Sequence, residues 1–444
     1  VFKLLNDDVA LLHNHNDIEA FNRILNLEEV VELSGEDNIT QAYNYFRERI
    51  IEDNLSFQGI LKNIMFVGID LGADEDEQQI FDTINSLGVR LSTAELLKNY
   101  VFARDDLALY NKNWKDIFEK DFEQKKFWDR EVTTGRLKRD NIDLFFYSFL
   151  QIKIQDSKIK VNTEDKKNFS KVEGLFDSYK QFIANYRIDK SKLIKEIKEY
   201  ATIYQENIDF DVTDRELTNE NGIERVNALI FGLENTTLIP YVLFVLKNVQ
   251  DLSKRNEIFA YLETYIMRRM VCRTRNKNYN QLFSERLISN NVLTKVELEK
   301  YINTQSEKVN FMPADSDLKE GFHTSKLTNK QTAGILYFIE SKIRNRSKHS
   351  TSLLGLNRYS LEHVMPKKWE NNWDAVGTEE ERIQRNRTLL TLGNLTIITS
   401  SLNISIRDSS WNIKKEGKKD KKGLKHYSAG LDTFSKFLDE PVWN

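Results

Sequence analysis

The sequence has few of the residues that cross-link or interrupt a chain. Its 444 residues include one cysteine, Cys272, and four prolines. A lone cysteine excludes an internal disulfide framework and a cysteine-rich zinc site, and it fits a reducing compartment. The sequence also lacks any run of about 18 apolar residues and any signal peptide with a basic start and an apolar middle. We therefore expect a cytoplasmic protein that makes no membrane contact.

Neither sign of charge dominates the chain. Lysine and arginine number 65 and aspartate and glutamate number 68, so the formal net charge is −3. A surface that attracts a polyanion must therefore come from local clustering of cations and not from the whole molecule. The length exceeds what one compact core usually holds, which predicts two or three domains.

Apolar residues recur at three- and four-residue spacing over long stretches of the sequence. Such spacing predicts that most of the chain is helical. Leu193–Tyr204 and Ile258–Met270 show the pattern over several turns. Thr93–Phe102 is predicted as a further helix, because Ser92 and Glu95 before and within it have the spacing of a capping box.

Strands are predicted at two places. Ile64–Leu71 has the pattern of a short buried strand, and Tyr359–Val364 with Leu392–Thr399 has the pattern of a small β element. The predicted fold class is mainly α, a multi-domain helical protein with a short β element in its N-terminal part and a small ββα element near its C-terminus. The expected domains are residues 1–140, 141–329 and 330–444.

Acid and amide side chains accompany a histidine on the C-terminal β element. Glu362 and His363 are adjacent on its first strand, and Pro366 ends the pairing soon afterwards, which leaves the imidazole at the strand edge. Asn394 starts the second strand, and Asn403 stands in the segment that leads to a final helix. Phosphodiester hydrolysis needs a base for water, a divalent cation and a group that orients the base. These four side chains would supply all three.

Residues Thr351–Lys415 resemble the C-terminal HNH domain of GmrSD-type modification-dependent (type IV) restriction endonucleases. The resemblance is carried by the Glu-His-x-x-Pro strand, by Gly-Asn-Leu-Thr with the second asparagine, and by Trp411-x-x-Lys414. It implies that the ββα element is a ββα-metal (HNH) nuclease with His363 as the general base.

The same resemblance implies a role for each neighbour of the histidine. Glu362 and Asn403 would hold one Mg²⁺ or Mn²⁺ ion, since hard oxygen ligands suit these ions better than zinc. Asn394 would orient the base. Lys414 is a candidate catalytic contact to the scissile phosphate, and an ordinary surface lysine is the alternative.

Lysines on both sides of the element are the candidate DNA contacts. They are Lys367, Lys368, Lys415, Lys418 and Lys419. The last three belong to a basic run that continues to Lys425, which fits a surface that follows a DNA backbone and fits a solvated tail equally. A second basic segment, Arg268–Lys277, has the same two interpretations, a phosphate contact or a solvated helix end.

The segment Phe81–Phe102 resembles the ParB-like N-terminal domain of the same family, through Phe-x-x-x-Asn at Phe81 and Asn85 followed by Gly-x-x-Leu-Ser. The resemblance implies that Phe81 and Asn85 contact a nucleoside triphosphate in the full-length protein, and a structural Asn85 near a helix end before Gly88 is the alternative. The family's Asp-Gly-Gln-Gln-Arg signature is absent here, so we expect the chain to begin inside that domain. His13 and His15 have a spacing that a metal can use on a strand, but their surroundings favour a helix.

Together these resemblances predict a DNA endonuclease of the GmrSD restriction type that acts against modified or foreign phage DNA. Two alternatives stay open on the sequence, a DNA-binding or regulatory module with an inactive HNH fold and an RNA-cutting toxin. One HNH site cuts one strand, so a double-strand break would need a homodimer or successive nicks.

Overall fold

The computed structural model of the chain describes residues 17–50, 56–63, 65, 92–102, 107–134, 137–172, 174–304, 309–344, 352–374, 376–427, 431–435 and 438. The chain divides into two compact units, Val1–Thr83 and Ile84–Asn444. Outside the described residues lie Phe81, Asn85, His13, His15 and, apart from Met65, the predicted strand Ile64–Leu71.

The described part of the first unit is helical. Its helices are α1 Ile18–Leu25, α2 Asn38–Arg49 and α3 Phe57–Asn63. Asp37 starts α2 as its N-cap, because its carboxylate accepts a hydrogen bond from the backbone N–H of Thr40 at 2.7 Å. This bond also lowers the pKa of the Asp37 carboxyl. Arg23 donates to the Thr40 hydroxyl at 2.6 Å and so links α1 to α2.

The second unit begins with a long series of helices. They are α4 Thr93–Val101, α5 Leu107–Tyr110, α6 Phe122–Trp128, α7 Asn141–Ile154, α8 Thr163–Phe169, α9 Leu175–Asn185, α10 Lys190–Asn207, α11 Ile223–Asn227, α12 Ile239–Asn248, α13 Leu252–Val271, α14 Tyr279–Gln281, α15 Leu287–Ser289, α16 Lys295–Asn303, α17 Asp315–Thr324 and α18 Asn329–Ile343. The π-helical segments Asn111–Glu119, Ala228–Gly232 and Leu282–Arg286 continue α5, α11 and α14. The predicted mainly α class is confirmed.

The periodic segments of the sequence form helices longer than predicted. Leu193–Tyr204 lies inside α10, and Ile258–Met270 lies inside α13. The capping box at the start of α4 is confirmed: the Ser92 hydroxyl accepts a hydrogen bond from the N–H of Glu95, whose carboxylate accepts one from the N–H of Ser92.

The second unit contains a hairpin within its helical part that was not predicted, and neither was the C-terminal hairpin described below. Strands β1 Glu131–Thr134 and β2 Leu137–Asp140 pair antiparallel directly before α7.

Among the described residues, no helix is both long and apolar enough to cross a membrane.

An aromatic core holds the helices of the second unit together. Trp128 and Phe146 are fully buried, and Trp128 stacks on Tyr204 with ring centroids 5.7 Å apart. The same core extends from Ala94 in α4 through Ile397 to Leu431, so strands near the C-terminus that contain Tyr359 and Ile397 pack on the helical part. It thus crosses the predicted boundaries at residues 140 and 329, and those boundaries stay predictions.

The C-terminal part contains the predicted ββα element. Strand β3 Tyr359–His363 pairs antiparallel with β4 Leu395–Thr399, and α19 Glu379–Thr388 lies in the connection between them. Helix α20 Ser400–Ile406 follows β4 without a loop. The remaining elements are α21 Trp411–Glu416, the hairpin of β5 Gly417–Lys418 and β6 Lys421–Lys422, α22 Leu424–Tyr427 and α23 Asp432–Ser435.

Two boundaries differ from the sequence prediction. Asn394 lies in a short 3₁₀ turn, Leu392–Asn394, immediately before β4 and not in the strand itself. Asn403 lies within α20, whereas the sequence indicated a connecting segment before the final helix. Thr399, the last strand residue, is also the N-cap position of the helix and has the extended conformation of such a position, although its side chain makes no capping hydrogen bond.

Candidate active site

His363 ends strand β3, opposite Leu395 of β4. Its ring is half-buried, and its Nε2 atom is buried without a hydrogen-bond partner among the described residues. Burial, with the positive charges of Lys367 and Lys414, lowers the pKa of His363 to about 4. The imidazole is therefore neutral at neutral pH and has a nitrogen available to accept a proton.

Glu362 points to the opposite face of β3, as alternation along a strand requires. Its side chain is 6% exposed and forms an ion pair with Lys414, whose side chain is 1% exposed. The Lys414 amino group also donates to the backbone carbonyl of His363 at 2.7 Å. Burial raises the pKa of the Glu362 carboxyl and lowers the pKa of the Lys414 ammonium group, and the ion pair opposes both shifts.

Asn394 holds the chain that follows the histidine. Its amide nitrogen donates to the carbonyls of Met365 and Leu389, both at 2.9 Å, and its amide oxygen accepts from the N–H of Met365 at 2.8 Å. The backbone carbonyl of Asn394 also accepts from the N–H of Val364 at 2.9 Å. A buried amide that closes a two-way bond with Met365 fixes the path of the chain two residues beyond His363.

Asn403 joins α20 to β3. Its amide nitrogen donates to the Ser360 hydroxyl at 3.2 Å and to the Leu361 carbonyl at 3.0 Å. Its amide oxygen accepts no hydrogen bond from the part of the chain that the structure describes. Because Ser360 and Glu362 share a strand face, Asn403 lies on the face that carries the Glu362 carboxylate.

Two oxygen donors near the histidine are candidates for holding a divalent cation. The Glu362 carboxylate and the amide oxygen of Asn403 are hard donors on one face, and water or phosphate oxygens complete such a set for Mg²⁺. Glu362 already holds a cation, the ammonium of Lys414. Over the described residues, no group of three or more His, Cys, Asp or Glu side chains is arranged to hold a metal.

Lys414 lies at the site, but its amino group is turned inward. The predicted contact with a scissile phosphate would need an exposed amino group, and the structure instead directs it to Glu362 and the His363 carbonyl. The physical reason is the position of Lys414 one helical turn after Trp411 on α21, so that both side chains are buried on one helix face.

The other predicted lysines lie around the site at the surface. Lys367 and Lys368 are exposed just after His363, and Lys415 is half-buried. Lys418 and Lys419 are exposed on the β5–β6 hairpin, so the basic run folds into a helix and a hairpin whose lysines face solvent.

Sequence reasoning missed Ser360 and Met365. Ser360 contacts Asn403 through its hydroxyl, and Met365 receives the clamp of Asn394 through its backbone. Strand alternation places Ser360 on the face of Glu362 and is the signal that indicates it. No signal indicates Met365, because its backbone and not its side chain makes the contact.

Two parts of the chain match known families. Residues 312–443 match the C-terminal domain of GmrSD restriction endonucleases. Residues 2–102 match the N-terminal domain of GmrSD restriction endonuclease. No curated protein sequence matches the chain.

Proposed function

Because this chain belongs to the GmrSD restriction endonuclease family, a family of DNA endonucleases, we propose that it hydrolyses DNA at an HNH-type site built on β3, β4 and α20. The site acts in defence against modified or foreign DNA such as phage genomes, in the cytoplasm. The observation that carries this proposal is the Nε2 atom of the neutral His363 ring. This atom is buried and has no hydrogen-bond partner among the described residues.

His363 is the general base in this proposal. A neutral imidazole accepts a proton from water at Nε2, and its low pKa rises when a negatively charged phosphate comes close, since an anion favours the imidazolium form. The clamp of Asn394 on Met365 supports a role for Asn394 in orienting the base, because it fixes the chain that carries the ring.

Glu362 and Asn403 would hold Mg²⁺ or Mn²⁺ through their oxygens. Both donors lie on the face of β3 opposite to the His363 ring, so the ion and the ring would meet one phosphate only at the end of the strand, where the ion would neutralise charge on the phosphate and polarise its P–O bonds. Lys414 is a positioning residue in this proposal, since its amino group contacts the Glu362 carboxylate and the His363 carbonyl at once.

Exposed lysines would bind the DNA backbone on either side of the site. Lys367 and Lys368 follow the base, and Lys418 and Lys419 extend from the hairpin, with Lys415 beside them. Phe81 and Asn85, within the matched N-terminal domain, stay the proposed contacts to a nucleoside triphosphate. A homodimer stays the proposed route to a double-strand break.

A plasmid assay tests the proposal. His363→Ala is expected to lower the rate of nicking in Mg²⁺ by about 10²–10⁴-fold, the usual contribution of a general base. Asn394→Ala is expected to lower it by about 10- to 100-fold, as loss of a supporting residue does. EDTA should stop the reaction, and Mg²⁺ or Mn²⁺ should restore it.

His426→Ala is the matched control, because His426 is exposed on α22 and should leave nicking unchanged. Nicking retained by His363→Ala would remove the proposed base. Binding of DNA without nicking by the unmodified chain would favour the recognition module, and cleavage of RNA alone would favour the toxin. A comparison of modified with unmodified phage DNA identifies the preferred target.

A further inference from the structure

A polar cleft in the helical part of the second unit carries an excess of positive charge. Its volume is about 500 Å³. Four cationic side chains and one anionic side chain line it, namely Arg269, Arg273, Lys326, Lys330 and Glu234. Lys330 and Glu234 form an ion pair at 2.7 Å. Since Glu234 is the one carboxylate in the lining, the lining offers no carboxylate to the other three cations.

Arg269 contributes a buried charge to this cleft. Its side chain donates to the carbonyls of Phe311, Arg275 and Val309 and to the Tyr279 hydroxyl, at 2.7 to 3.0 Å. No carboxylate of the described residues forms an ion pair with it. A guanidinium satisfied by neutral acceptors keeps its full charge, and the field of a buried charge is screened little by solvent.

Two features of the backbone add to the positive potential. Helix α18 begins at the cleft, where Thr328 and Gln331 line it, and the N-terminus of a helix carries partial positive charge. Arg273 follows the end of α13 with a left-handed φ of 51°, a position where helices favour glycine. Arg273 is exposed, and any side chain at its position makes the left-handed backbone conformation less favourable than glycine would.

The cleft is connected to the candidate active site. Lys326 forms an isolated antiparallel bridge with Thr391, and the Thr391 carbonyl accepts from the N–H of Asn394 at 3.0 Å. Asn394 in turn holds Val364, next to His363. The path along the chain consists of one bridge, three residues of a 3₁₀ turn and one backbone hydrogen bond, so its length is at most about 20 Å. That length corresponds to about six base pairs of B-DNA at 3.4 Å each.

We infer that this cleft binds a backbone phosphate of the DNA substrate, within about six base pairs of the scissile phosphate. The inference rests on the proposed function, which supplies DNA as the ligand. It assigns Arg273 and Lys326 as phosphate contacts that fix the position of the duplex. Such contacts do not distinguish one nucleotide sequence from another, but they set where along the DNA the general base His363 acts.

The salt dependence of DNA binding tests the inference. Binding of a 30-base-pair duplex is measured in EDTA at several salt concentrations, with full-length Arg273→Gly, Lys326→Gln and the double variant. Each substitution should weaken binding several-fold and reduce the slope of log affinity against log salt by about 0.9, and the double variant by about 1.8. Arg273→Gly removes the cation while giving the left-handed position its preferred residue, so it should melt at the wild-type temperature or above.

Lys254→Gln is the matched control, since Lys254 is exposed near the other end of α13, about 28 Å away at 1.5 Å per residue. Its binding and salt slope should equal those of the wild-type chain. An unchanged slope in the double variant would overturn the inference, as would failure of the wild-type chain to bind DNA.

A free anion is the competing source of phosphate in the cleft. Calorimetry with inorganic phosphate and with GTP distinguishes a free anion from DNA. The DNA assignment would be overturned if Arg273→Gly lost affinity for phosphate or GTP while the salt dependence of its DNA binding stayed unchanged. The nicking assay reports separately on the proposed function, because the binding measurements contain no divalent cation and need no cleavage.

Discussion

Two neighbouring residues of β3 meet opposite physical requirements. Glu362 faces inward and is neutralised by Lys414, while His363 faces the other way with its Nε2 unpaired among the described residues. Because a strand sends consecutive side chains to opposite faces, an acid and a base adjacent in sequence do not pair with each other. The alternation therefore leaves the imidazole without its neighbour Glu362 as a partner.

The sequence predicts which residues gather at this site better than how each is oriented. Glu362, His363, Asn394, Asn403 and Lys414 all lie on or beside the β3–β4 hairpin. The inward direction of the Lys414 side chain depends on the length and packing of α21. Sequence spacing does not give this packing, which becomes clear only once Trp411, on the same helix face, is seen to be buried. The carboxylate partner of Lys414 is 52 residues away in sequence, so local patterns do not predict it.

The buried pair of Glu362 and Lys414 predicts a measurable stability cost. Lys414→Met leaves a buried carboxylate without its cation and should lower the free energy of unfolding by about 3–5 kcal/mol. The double variant Glu362→Gln with Lys414→Met leaves no uncompensated charge and should recover most of that loss. Urea denaturation in EDTA measures both.

Lys415→Met is the control for that series. Lys415 is the next residue of α21 and is half-buried, so its replacement should change stability by less than about 1 kcal/mol. Equal stability of Lys414→Met and the wild-type chain would contradict the role given to the pair.

At the scale of elements, periodicity and capping predict helices well and short strands less well. Apolar spacing indicates α10 and α13, and the Ser92–Glu95 capping box fixes the start of α4. The hairpin of β1 and β2 has four-residue strands with few buried side chains, so hydrophobic alternation gives it little signal. Its formation depends on pairing between the strands, which single-strand patterns do not report.

Asp143, in the first turn of α7, gives a pH prediction at this scale. Its Oδ1 is buried without a hydrogen-bond partner among the described residues, and burial raises the pKa of its carboxyl above the ordinary value. The ionised form is thus disfavoured in the fold, and the cost appears as pH rises above the unfolded pKa of about 3.9. Asp143→Asn should raise the melting temperature at pH 7, and the gain should shrink below about pH 4.

Asp177→Asn controls for the loss of a negative charge near a helix N-terminus. Asp177 has the same position in the first turn of α9 but is exposed. Its replacement removes a favourable interaction with the helix dipole and relieves no burial cost, so the melting temperature should stay equal or fall. A gain for Asp143→Asn that is the same at pH 4 and pH 7 would contradict the account.

At the scale of the whole molecule, near-neutral composition conceals an uneven surface. The formal net charge is −3, yet exposed cations gather after His363, on the β5–β6 hairpin and along the cleft at Arg273 and Lys326. Composition alone predicts only that any polyanion surface is local. The fold determines where it lies, because the cations of the cleft come from helices and connections far apart in sequence.

The number of active sites in one chain predicts the order of the DNA products. The described residues contain one β3–β4–α20 candidate site, and a site of the proposed kind would hydrolyse one phosphodiester bond at a time. With supercoiled plasmid in excess, nicked circles should therefore form first and linear DNA should appear after a lag. Agarose gels over a time course at several protein concentrations measure both products. If the chain acts as a homodimer, the lag should shorten steeply as protein concentration rises, whereas linear DNA without a nicked precursor at limiting protein would contradict independent single-strand cuts.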